Sequence, residues 1–292
     1  STAGLDLWLD RALFYGDSAA TLKMAARGGD QAPGQCAGVQ YRTATGSSSP
    51  LDSSPRLSPD GRLWYGSSLW DSTMGMTCNV SSGFGNDNAA FGGFFGATTT
   101  LVQKSDIAPG TGGATFAQAF NSLSQQTTGI NRNGHIYFQG TLNSGTGMPP
   151  VTLTSGMNNQ TGIWAGLPGS LQLVARKSSP VSGLGGAVAI DTSSNFGFIF
   201  QMNDANDLFY EVTLSQTQGA PMATAADDKA YMIWSSTAGT SAKVVREGDA
   251  APVTGGGNFG NASNTWSISA PASCFTRNGQ VKKTRFSEYD SS

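Results

Sequence analysis

One short pattern occurs four times at a spacing of about 73 residues, and any fold for this chain must repeat with it. Its fullest form runs from Ile130 to Phe138 and contains Asn131, Gly134 and His135. The other copies carry Ser58 and Gly61, Asn203 and Asn206, and Thr276 and Gly279 at the matching places. An apolar residue, a short acceptor side chain, two free positions and then glycine describe a hairpin turn. The acceptor can bond the backbone two residues on. The fourth position asks for positive φ, where Gly is cheapest and Asn is next. Gly61, Gly134, Asn206 and Gly279 are therefore expected to share one conformation, in a type I turn closed by a bulge residue. After the turn the chain alternates. Leu63, Tyr65 and Leu69, then Ile136, Phe138 and Leu142, then Leu208, Tyr210 and Leu214 each mark one apolar face, which predicts half-buried strands.

The stretches between the turns repeat as well. Each unit opens on a short apolar strand: Ala12 to Gly16, Ala90 to Phe94, Gly162 to Gly166 and Ala230 to Trp234. A second strand follows and ends in a charged turn, as at Arg27 to Pro33, Gln103 to Gly110 and Arg246 to Pro252. The third unit keeps Arg176 but has Ser179 and Ser182 where the others have Asp and Pro. A variable arm then leads to the hairpin turn and is long enough to hold a strand. The expected organisation is one repeat domain over 1–292, with units near 1–88, 89–160, 161–228 and 229–292. The expected fold is all-β, with four-stranded units arranged as a small β-propeller. A β-solenoid or paired β-sandwiches are the competing architectures. The leader, Leu5 to Leu9, alternates like a strand and is placed to complete the sheet that the last unit begins. Residues 42–56 and 70–88 read as surface loops.

Composition excludes several classes of function. Only 12% of residues are charged and the net charge is −2, which argues against a nucleic-acid partner. No apolar run of about 18 residues exists to span a membrane as a helix. Abundant Gly with Ser, Thr and Asn suits a secreted β protein, and Ser1-Thr2-Ala3-Gly4 reads as a mature end after signal removal. Three cysteines, Cys36, Cys78 and Cys274, allow one disulfide and one leftover thiol, and the pairing is left open.

The turn pattern Asn-x-x-Gly-x-x-x-Phe, met in full at Asn131, Gly134 and Phe138, occurs beside Gly-Asp-x-Ala-Pro, met at Gly29 to Pro33 and Gly248 to Pro252. Together they resemble the bacterial extracellular "choice-of-anchor" tandem-repeat proteins, named for the first motif, over nearly the whole chain. The other copies substitute Ser58, Asn206 with Tyr210, and Thr276 with Lys283. The resemblance implies a secreted protein with a C-terminal sorting tail, which the ending Glu288-Tyr289-Asp290-Ser291-Ser292 does not supply. It implies no catalytic residues.

Chemistry is sparsely written. His135 is the sole histidine and aligns with Arg62, Asp207 and Gln280, so it reads as a residue on a polar strand face. A triad or a His-based metal site needs partners that the sequence lacks. Asp30, Asp106 and Asp249 recur with the repeat and read as turn residues, with Arg27 or Arg246 as ion-pair partners. Asp204, Asp207 and Asp87 lie in Asn/Asp-rich runs and are the candidate calcium ligands, though none has the spacing of a known calcium loop. No other cofactor is expected.

The expected function is a secreted, non-enzymatic β-repeat protein at the cell exterior, structural or adhesive. Its expected partners are further copies of itself, other surface proteins or glycans. A carbohydrate-active propeller enzyme using Asp and Glu, and a monomeric lectin-like glycan binder, are the alternatives. The fourth copy breaks the strand pattern with Lys283 and Arg285, and charges of that kind protect edges. Lys283 and Arg285, with Leu5, Leu7 and Leu9 as the complementary strand, are the candidate subunit contact.

Overall fold

The computed structural model describes residues 12–16, 18–42, 55–71, 80, 87–118, 128–154, 157–184, 201–250 and 259. The described chain is all-β, with no helix. In chain order the strands are β1 (Ala12–Tyr15), β2 (Lys23–Arg27), β3 (Val39–Tyr41), β4 (Arg56–Leu57), β5 (Arg62–Asp71), β6 (Asn88–Phe94), β7 (Ala97–Gln103) and β8 (Phe116–Gln118). They continue with β9 (Thr128–Ile130), β10 (Ile136–Leu142), β11 (Thr161–Leu167), β12 (Ser170–Arg176), β13 (Gln201–Met202), β14 (Leu208–Thr213), β15 (Lys229–Ser235) and β16 (Thr240–Arg246).

Every pairing is antiparallel and follows chain order. One sheet runs β3-β5-β6-β7 with β4 also on β5. The next runs β8-β10-β11-β12 with β9 also on β10. A third runs β13-β14-β15-β16, and β1 and β2 form a two-stranded sheet. Each larger sheet takes its inner two strands from the end of one sequence unit and its outer two from the start of the next. None of the sheets closes into a barrel.

The outer hairpins share one irregularity. A bulge falls between Leu13 and Phe14, between Ala90 and Phe91, between Ile163 and Trp164, and between Tyr231 and Met232. It reverses the facing of the side chains at one position in each hairpin. The hairpin ends match too. Gly29, Ser105, Ser178 and Gly248 hold the same place after the second strand, all with positive φ. Gly29, Ser105 and Gly248 donate their amides to the carbonyls of Tyr41, Phe116 and Phe259 at 2.8 to 2.9 Å.

The cores lie between sheets, not within one. Leu13 and Ala26 pack against Leu63, Tyr65 and Phe91. The opposite face of the β3-β5-β6-β7 sheet, through Trp64 and Val102, packs against Phe138 and Trp164. The far face of the β8-β10-β11-β12 sheet, through Ile163 and Ala165, packs against Tyr210, Met232 and Trp234. Strands β5 and β10 are thus buried on both faces, where alternation alone predicts one. The run Leu63-Trp64-Tyr65 is apolar because each neighbour needs a partner surface. Aromatic trios recur inside: Tyr65 stacks on Phe91 at 5.5 Å and Phe138 on Trp164 at 5.9 Å, with Tyr41 and Phe116 set edge-on.

A loop glycine sets the spacing between sheets. Gly34, Gly110 and Gly183 follow the charged turns, and each lies against the outer hairpin of the next sheet. A Cβ there would come within 2.9 Å of Thr99, 2.8 Å of Leu173 and 2.5 Å of the Ser241 carbonyl, respectively. Only a residue without a side chain permits that approach.

Candidate functional site

The repeated turns meet one another. In each, the first residue donates its amide to the carbonyl four residues on: Ser58 to Arg62 at 2.8 Å, Asn131 to His135 at 2.9 Å, and Asn203 to Asp207 at 3.0 Å. The side chain answers by accepting from the same residue's amide, at 2.9, 3.0 and 2.7 Å. Gly61, Gly134 and Asn206 have φ of 88°, 79° and 68°, as the pattern predicts. Gly279 and Thr276 lie outside the described residues.

Consecutive turns are then joined. Arg62 donates to the Arg132 carbonyl at 3.0 Å. Asn131 Nδ2 donates to the Asn203 carbonyl at 3.0 Å and to Asn206 Oδ1 at 2.8 Å. Asn133 reaches the Asp204 carbonyl at 2.7 Å, and Arg132 pairs with Asp204 at 3.3 Å. Asn131 is only 5% exposed, so its bonds are made away from water. The three described turns form a hydrogen-bonded column that carries one repeat onto the next.

The other sequence-predicted residues fall as follows. Asp204 is ion-paired to Arg132, and Asp207 accepts from Asn203 within its own turn at 3.3 Å. Asp87 pairs with Lys104 at 2.9 Å. Among the described residues no three acidic, histidine or cysteine side chains come together as a metal site. Asp106 accepts from the Gln103 amide at 2.7 Å and Asp249 from the Arg246 amide at 2.8 Å, so both serve their turns. The Arg246 guanidinium, however, pairs with Asp227 at 2.7 Å and not with Asp249, whose other oxygen is held by Lys243 at 2.8 Å. His135 is half-buried, like its counterparts Arg62 and Asp207, and burial holds its pKa below the usual imidazole value. Cys36 is disulfide-bonded. Leu5, Leu7, Leu9, Lys283, Arg285, Cys78 and Cys274 lie outside the described residues.

One polar group departs from the repeat. Glu211 and Glu247, two of the three glutamates in the chain, approach Tyr231 on the third larger sheet. Tyr231 donates to Glu211 at 2.8 Å, and both acids raise its pKa after burial does. Burial pushes the Glu211 carboxyl up, against the pull of Tyr231 and Lys229. Glu247 is buried, and its carboxyl accepts from the amide of Lys229, the neighbour of Asp228, at 3.1 Å. Burial first and Asp228 second push its pKa up to about 7. The repeat counterparts of Glu211 are Gln139 and Gly66, so aligning the copies is the signal that singles it out.

No helix among the described residues is long and apolar enough to cross a membrane. No curated protein and no solved structure matches the chain. A family model does match, over residues 9–284, described as a family of unknown function, DUF7453. That match spans most of the sequence, and the chain belongs to the DUF7453 family.

Proposed function

We propose that this chain is a secreted, non-enzymatic repeat protein, a structural or adhesive component of the cell exterior that acts through its surfaces. The observation that carries the reading is where the recurring polar groups go. Asn131, Asn203, Asp106, Asp249 and Asp227 bond turns and strands, leaving little repeated chemistry for a substrate. The resemblance to extracellular choice-of-anchor proteins belongs with this reading. Exposed Phe14, Leu22 and Met24 on the first hairpin support contact with further copies or with another surface protein or glycan.

The architecture in this reading is a four-sheet propeller. Its support is a set of relations that pass from sheet to sheet: the turn column, the loop glycines and the shared bulges. Phe259 repeats the backbone bonds of Tyr41 and Phe116, which supports a fourth copy in this reading. Strands β1 and β2 carry the outer-hairpin bulge but pair with no inner strand among the described residues. In this reading the two ends of the chain complete one sheet.

A second reading, a carbohydrate-active enzyme, is favoured by Glu211 and Glu247, two unrepeated carboxyls beside one tyrosine. Fractionation of the source cells, electron microscopy of the purified chain and a glycoside panel separate the two. The proposal expects protein at the cell exterior, in polymers or bound to a surface partner, without turnover. Glycoside hydrolysis lost in Glu211→Gln would overturn it.

A further inference from the structure

The repeats supply an internal control for the Asp228–Glu247 contact. Leu69, Leu142 and Leu214 donate their amides to the carbonyls of Asp87, Gln160 and Asp228, at 2.7, 2.9 and 2.6 Å. Lys104, Lys177 and Glu247 donate theirs to the carbonyls of Asn88, Thr161 and Lys229, at 2.8 to 2.9 Å. Asp87, Gln160 and Asp228 are therefore one position, and Lys104, Lys177 and Glu247 are another. In the first of these sheets the two positions hold an ion pair, Lys104 Nζ to Asp87 at 2.9 Å. In the last, Lys is replaced by Glu, and two acids occupy the place of an ion pair.

Two carboxyl groups set where the equivalent sheet holds an ion pair need one proton to bond each other, because two carboxylates repel and neither can donate. The pair also holds structure. Glu247 Oε2 accepts from the Lys229 amide at 3.1 Å, and Asp228 Oδ2 accepts from Gln216 at 2.6 Å. The contact thus ties the end of β16, the start of β15 and the 215–228 connection. The groups around it are Glu211 from β14, Lys229 and Tyr231 from β15, and Arg246 from β16. Arg246 is taken up by Asp227, through Nη2 at 2.7 Å and Nε to its carbonyl at 2.7 Å. Lys229 is the cation that acts on Glu247, and its pull is smaller than the opposing effects.

We propose that Asp228 and Glu247 share a single proton and form a pH-sensitive latch, which fastens the last described sheet when protonated and loosens it when the proton leaves. The latch is independent of where the protein resides or what it binds. The sign follows from linkage. The folded Glu247 pKa lies above its unfolded value, so the stabilisation is complete below the ordinary carboxyl range and is lost as pH rises through about 7. The folding equilibrium constant should fall by about two orders of magnitude across that range on account of this proton.

The test uses the full chain. Carbon-detected NMR of the wild-type Glu247 side chain should show a titration near neutrality; a titration at the ordinary glutamate pKa overturns the proposal. Urea unfolding from pH 5 to 8.5 should show the wild type losing stability relative to Glu247→Gln, which keeps a donor but cannot ionise. Parallel profiles for the two overturn it. Glu247→Lys should give Asp228 the cation that Lys104 gives Asp87 and abolish the neutral step. A variant retaining the step counts against the latch, and if Glu247→Lys does not fold the other two measurements still decide.

Discussion

Asn131 should be the most costly of the turn residues to remove, and the structure says by how much. Its side chain accepts from the Asn133 and His135 amides, both at 3.0 Å, and donates to Asn203 and Asn206 of the next turn. Each net hydrogen bond contributes about 1 kcal/mol. Asn131→Ala removes four in a buried place and orphans the His135 amide, so the loss should be about 3–4 kcal/mol. Asn131→Ser copies the first repeat, where the Ser58 hydroxyl accepts from the Arg62 amide at 2.9 Å. It keeps an acceptor but loses the two bonds to the next turn, so about 2 kcal/mol should go. Asn133→Ala, an exposed position with two bonds to the next turn, should cost about 1 kcal/mol or less. Urea unfolding with a shared slope measures all three. If Asn131→Ala costs no more than Asn133→Ala, the turn column does not hold the repeats together and the reasoning fails.

Two further outcomes are expected. Gly134→Val should lose more than about 2 kcal/mol in the same assay, because φ is 79° and the new Cβ would sit 3.0 Å from Arg62 Nη1. His135→Ala should stay within about 1 kcal/mol of wild type, since its side chain donates no bond that the fold needs and its Nδ1 is buried without a partner.

Much of the turn was legible because its chemistry is local. Asn-x-x-Gly states both an acceptor and a positive φ, and Asn206 could be read into the glycine position without any structure. The same logic was available but less visible at the hairpin ends. Gly29 and Gly248 announce positive φ there, while Ser105 and Ser178 adopt it against their own preference. Burial on both strand faces was hidden, because it depends on neighbouring sheets; the run Leu63-Trp64-Tyr65 was its trace. Proximity in sequence points Arg246 to Asp249, yet Asp249 is occupied by an amide and by Lys243, which leaves the guanidinium to Asp227. The carboxyl pair needed register: Glu247 becomes odd only when it is set beside Lys104 and Lys177.

Hydrogen exchange along β1 tests the central claim, that four equivalent sheets close through the two chain ends. The amides of residues 12–15 that point away from β2 have no partner among the described strands, whereas their counterparts in β6, β11 and β15 pair with β5, β10 and β14. Closure within one chain predicts that these amides are protected as strongly as residues 89–92, 162–165 and 230–233, at every protein concentration. Exchange at the rate of a free strand edge, or protection that appears only as molecules associate, would contradict it.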